Sequence, residues 1–142
     1  MTGTRVHDGP GGPRRSAPWV PVSAALGWVG LLVHNVADLP GQTILSPESL
    51  IPLALTVVLV AAWFTRLRSV AAWALLGWGV LNLLGAIFTV LPLPILPFDP
   101  AQTSAHYAFH VLYGITQVPL VVTTAIWLRS RIGGLDDDRH PS

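Results

Sequence analysis

No cysteine and no lysine occur among the 142 residues, and the single methionine is the first residue. The missing thiols exclude disulfides, thiolate metal centres and thiol redox chemistry. With no internal methionine, thioether-ligated copper or haem iron is excluded as well. Charge is also scarce: 11% of the residues are charged, against about 25% in an ordinary soluble domain. A shortage of that size fits a chain whose solvent is lipid. The formal net charge of +1 offers no basic face for nucleic acid, and the sequence contains neither a Gly-rich phosphate loop nor a nucleophile elbow. Nucleic acid is therefore not an expected partner. No carboxylate falls in the middle of an apolar run, which argues against a small proton-coupled exporter, whose chemistry needs a titrating acid at depth. The all-arginine basic set fits a GC-rich bacterial genome.

What is present is a 51% hydrophobic composition gathered into four apolar runs. Hydropathy predicts spans at about 19–39, 47–65, 69–91 and 103–128. The first closes on Pro40-Gly41. The second opens on Ser46-Pro47-Glu48, a cap, a proline suited to the first helical position and an acid near the positive end of the dipole. Arg66-Leu67-Arg68 leaves room only for a tight turn, so the second and third spans are expected to be antiparallel neighbours. The stretch from Leu91 to Pro100 carries four prolines and cannot form a regular helix. Asp99-Pro100 offers a second cap-then-proline start for the last span. Pro119 lies inside that span and predicts a kink. The expected fold class is all-α, an integral membrane four-helix bundle in contact with the lipid bilayer.

The arginines predict an orientation. Arg5, Arg14 and Arg15 precede the first span, Arg66 and Arg68 separate the second from the third, and Arg129, Arg131 and Arg139 follow the fourth. The intervening loops carry no basic residue. By the positive-inside rule both termini are cytoplasmic, in the inner (plasma) membrane of a bacterium. Residues 1–18 read as a disordered cytoplasmic tail, 19–132 as the membrane domain and 133–142 as a polar cytoplasmic tail. The first run is long enough to be a retained helix rather than the short core of a signal peptide. Gly27, Gly30, Gly77, Gly79 and Gly85 are candidates for close helix approach. Gly27-Trp28 and Gly77-Trp78 hint at an internal repeat, which we read as chance similarity between apolar helices.

Two spaced pairs carry the chemistry. His34 and Asp38 sit one turn apart near the outer end of the first span; His106 and His110 do the same in the fourth. Asp38 and His106 lie about one residue from those ends and His34 and His110 about five, so at a rise of about 1.5 Å per residue the pairs share two depths. If the first and fourth helices touch, three imidazoles and a carboxylate converge. That donor set suits zinc, copper or iron. Tyr107, Tyr113 and Asn35 are candidates to support the ligands from a second layer. Tyr107 stands where a zinc protease helix has its glutamate, so a protease is not expected. As an alternative, His34 and His110 are spaced to serve as the axial ligands of a haem b in an electron-transfer subunit, with Gly30 and Gly114 making room. A further alternative makes the four residues a structural polar cluster in a non-catalytic accessory or assembly subunit. No complete catalytic motif is present, and a chain of short loops reads as a binding protein or subunit, partnered by other membrane subunits or by a second copy, rather than as a lone enzyme.

Overall fold

The computed structural model describes residues 18–96 and 99–137. Most of the expected N-terminal tail and the last residues of the C-terminal one lie outside that range. Four helices follow in chain order: α1 (Trp19–Asp38), α2 (Pro47–Trp63), α3 (Arg68–Phe88) and α4 (Ser104–Asp137). There is no strand among the described residues. Three helices, α1, α3 and α4, are long and apolar enough to cross a membrane. α2 is apolar but has 17 residues, about 25 Å of helix, short of the roughly 30 Å hydrocarbon core. It stops before the expected residue 65 because the Thr65 hydroxyl turns back to the Ala62 carbonyl (2.8 Å) and accepts the Leu67 amide (3.1 Å).

Local chemistry sets the other boundaries. Pro40 cannot continue α1, and Gly41 takes a φ of 75°, a conformation that only glycine adopts without strain. Ser46 stands before Pro47 as expected, but its hydroxyl accepts the Thr43 amide at 2.9 Å instead of capping α2. α3 ends at Phe88, three residues short of the predicted 91. The residue before a proline disfavours helical ψ, and Leu91 precedes Pro92. α4 begins at Ser104, next to the expected 103, with Thr103 before it in the capping place instead of Asp99: the Thr103 hydroxyl accepts the His106 amide (3.2 Å) and its carbonyl accepts the Tyr107 amide (3.1 Å). At the other end α4 continues through Gly133 and Gly134 to Asp137, beyond the expected 128.

α4 is the hub. It packs extensively on both α1 and α3, while α2 touches α1 and α3 more lightly. A two-plus-two repeat would give α2 the role that α4 has, so packing does not express the sequence similarity. Close approach uses three of the five candidate glycines. The Gly27 carbonyl accepts the Gln117 amide at 2.8 Å, Gly30 lies against Thr116, and Gly79 lies against Leu120 and Val121. Gly77 and Gly85 face open space.

A second set of hydrogen bonds ties α2 in. Pro52 lacks the N–H that would serve the Glu48 carbonyl four residues back. Asn35 supplies it from α1, donating to Glu48 O at 3.0 Å and to Ser49 Oγ at 3.3 Å. Trp28 donates to Ser49 O at 3.2 Å and Trp78 to Thr56 Oγ1 at 3.3 Å. The apolar core gathers at the end of the molecule that holds Trp63 and Trp127, with Val20, Leu75 and Leu120. Outward-facing Val22, Val57, Leu81 and Val111 are exposed, as expected where the surrounding solvent is hydrocarbon.

Candidate metal centre at the ends of α1 and α4

The close α1–α4 contact brings the two predicted pairs together. Asp38 is the last residue of α1 and His106 lies in the first turn of α4, so the two side chains meet at the mouth, where His106 Nδ1 donates to Asp38 Oδ2. One turn further in, the His34 and His110 rings meet edge to face with centroids 4.4 Å apart. His106 and His110 are 4.5 Å apart in the same manner. All three imidazoles are nearly withdrawn from the surface, at 5–7% exposure.

The hydrogen bonds assign atoms to roles. His110 Nδ1 lies 2.9 Å from the Ala86 carbonyl of α3. A carbonyl only accepts, so Nδ1 carries the proton, and in the neutral ring Nε2 keeps its lone pair. The same reasoning at His106, whose Nδ1 faces a carboxylate, leaves Nε2 as an acceptor; that atom is buried without a partner. His34 Nδ1 is likewise buried and unpartnered. It lies 3.6 Å from Asp38 Oδ2, too far for a hydrogen bond. A buried polar atom without a partner costs about 1–3 kcal/mol, so the cluster holds lone pairs that lack a cation or a donor.

His34, Asp38 and His110 form a group whose ligand atoms lie within 4.8 Å of one another. Tetrahedral zinc with bonds of about 2 Å separates its ligands by roughly 3.3 Å, so closing around an ion takes shifts on the order of 1 Å. The donor set fits a borderline transition ion. His106, the fourth residue of the set that the spacing predicted, is not in this group; its Nδ1 donates to Asp38.

The three residues expected behind the ligands fare differently. The Tyr113 ring stacks on His34 at 5.7 Å and 11°. Its hydroxyl donates to Asn82 Oδ1 at 2.5 Å, and Asn82 in turn donates to the Trp78 carbonyl at 2.8 Å. Asn35 faces α2 instead, serving the carbonyl that Pro52 leaves free. Tyr107 is exposed, and its hydroxyl donates to Gln102 in the preceding loop. The haem geometry does not fit these residues. An iron between axial imidazoles needs the rings held apart across a flat slot, and here they touch. The space beside Gly30 is filled by Thr116, and Gly114 faces Leu83 and Ala86 of α3 rather than α1.

Sequence spacing did not reveal the part played by α3. Its contribution at His110 is a backbone carbonyl, which has no residue signature. Asn82, a polar residue in an apolar run, was the available signal. The chain matches no known family model, no curated protein and no solved structure.

Proposed function

We propose that this chain is a small membrane protein that binds a transition-metal ion through His34, Asp38 and His110, with His106 holding the Asp38 carboxylate. The observation that carries this reading is the buried, unpartnered His34 Nδ1 beside a carboxylate, in a residue whose ligand atom lies within 4.8 Å of those of Asp38 and His110. Zinc, copper(II) or iron suits two imidazoles and one oxygen. When bound, the ion would supply Lewis acidity or a redox centre. The chain's own residues fix its surroundings: Ala86 sets the His110 tautomer, Tyr113 braces the His34 ring, and His106 orients Asp38. The arginine distribution supports both termini in the cytoplasm of a bacterial plasma membrane, with α2 as the fourth span and the site on the outer face. The short loops favour a subunit or binding role over a lone enzyme.

The second reading is a structural polar cluster in an accessory subunit. It is favoured by the His106–Asp38 and His110–Ala86 hydrogen bonds, which need no ion. It leaves the orphaned His34 Nδ1 unexplained. Elemental analysis of the purified full chain separates the readings. The metal reading expects a stoichiometric ion that is lost in His110→Ala and in His34→Ala, with helix content and elution volume retained. A wild-type chain that stays folded and takes up no ion after incubation with zinc, copper or iron would leave the structural reading standing.

A further inference from the structure

The opposite end of the molecule carries a second cluster of different chemistry. Trp63 closes α2, Arg68 opens α3, and Trp127 and Arg131 are one turn apart on α4. The tight turn at 64–67 brings the first two together. The two indoles pack at 4.8 Å. The Arg68 guanidinium lies 4.7 Å from the Trp63 ring centre and 5.8 Å from that of Trp127, and the Arg131 guanidinium lies 5.1 Å from Trp127. Two cations therefore share one indole. Among the described residues the only ion pairs are those of His34 and His106 with Asp38, and neither arginine has a carboxylate partner among them.

Stacking on an indole uses the flat face of a guanidinium and leaves its N–H groups, which lie in the plane, free to donate. Two donors here are buried without an acceptor, Arg68 Nε and Trp63 Nε1, the latter in a residue with no exposed surface. Both groups can only donate, so the missing partner is an acceptor, and two guanidinium groups beside it favour an anion. The surroundings identify its source. Phe64, Leu67 and Ile132 adjoin Trp63, Arg68 and Arg131 in the chain, and with Val70 they are each more than half exposed, beside exposed Arg66 and Arg129. A lipid brings acyl chains that can cover these exposed apolar side chains as its phosphate meets the arginines, which a free anion does not.

We propose that Arg68, Arg131, Trp63 and Trp127 form a binding site for the phosphate of an anionic glycerophospholipid headgroup. Basic pockets between membrane helices bind such headgroups by the same chemistry, and the N-terminal end of α3 adds partial positive charge beside Arg68. The site is independent of the metal reading, lying at the other end of the molecule.

The test is thermal unfolding of the full chain in neutral detergent with added phosphatidylglycerol, phosphatidylcholine or inorganic phosphate. Phosphatidylglycerol is expected to raise the melting temperature in a saturable way, and the other two are not. Arg68→Gln with Arg131→Gln should weaken the apparent affinity about tenfold, the equivalent of about 1.4 kcal/mol. Should that double variant not fold, Arg131→Gln alone, at an exposed position, should still lower the affinity for phosphatidylglycerol. Equal stabilisation by phosphatidylcholine would overturn the anion requirement. Equal stabilisation by inorganic phosphate would overturn the lipid assignment, and an unchanged response in the folded variants would overturn the site.

Discussion

The two ends of the helix assembly leave opposite kinds of atom unsatisfied. Around His34, Asp38, His106 and His110 the orphaned atoms are imidazole nitrogens next to a carboxylate, and the unmet need is for a positive charge. Around Trp63, Arg68, Trp127 and Arg131 they are N–H groups next to two cations, and the need is for a negative one. Packing differs in the same sense. The histidine end is held by hydrogen bonds between α1, α3 and α4. The tryptophan end is a dry core in which Trp63, Leu75 and Leu120 are essentially unexposed. Burial alone therefore does not distinguish a site from a core. The identity of the atoms left without partners does.

Substitutions can separate the two regions. The largest effect is expected from His34→Ala, which removes a ligand together with one orphaned nitrogen. Metal bound after dialysis should fall to background while the melting temperature of the apo protein holds or rises. Trp63→Ala should do the reverse. It opens a cavity in the core at a typical cost of about 3–5 kcal/mol, read as a lowered midpoint in detergent unfolding, and the surviving folded fraction should keep its metal stoichiometry. If Trp63→Ala also abolished metal uptake by folded protein, the two ends would be one coupled unit and the comparison would fail.

His106→Ala sharpens the division within the histidine end. As a residue that orients a ligand, it should weaken zinc affinity by about 10–100-fold without changing stoichiometry, measured by competition with a chelator. Complete loss of binding would make it a direct ligand, as its spacing from His110 predicted.

The smallest effect concerns neither cluster. Asn35→Ala should cost about 0.6 kcal/mol, typical of a hydrogen bond between membrane helices. In a Pro52→Ala background the Glu48 carbonyl regains a helical partner, so the same change should then cost less. A double-mutant cycle on the unfolding midpoint reads the difference. Additive costs would mean that Asn35 does not compensate for the proline.

Much of this was legible in the chain because apolar runs and prolines act locally. The end of α1 follows from Pro40-Gly41 and the turn between α2 and α3 from the brevity of Arg66-Leu67-Arg68, while α3 stops at Phe88, short of the expected 91. Equal depth of the two histidine pairs followed from helical rise alone. Three features were not legible, each because it depends on a partner remote in sequence. The start of α4 was expected near 103, but not that Thr103 would stand in the capping place over Asp99, in a loop where Gln102 donates to the Val90 and Pro100 carbonyls. Asn35 looked like a site residue by adjacency to His34, yet it points at the carbonyl that a proline on another helix leaves free. His106 and His34 looked equivalent as ligands; in the fold only His34 groups with Asp38 and His110, while His106 Nδ1 donates to Asp38.

X-ray absorption at the zinc edge tests the central claim most directly, using the full chain loaded with one equivalent of zinc and dialysed. The account predicts a retained ion whose inner shell contains two imidazoles, from His34 and His110, and at least one oxygen, with the imidazole signal reduced in His110→Ala. An ion lost on dialysis, or a shell of oxygens without imidazole scattering, would contradict it.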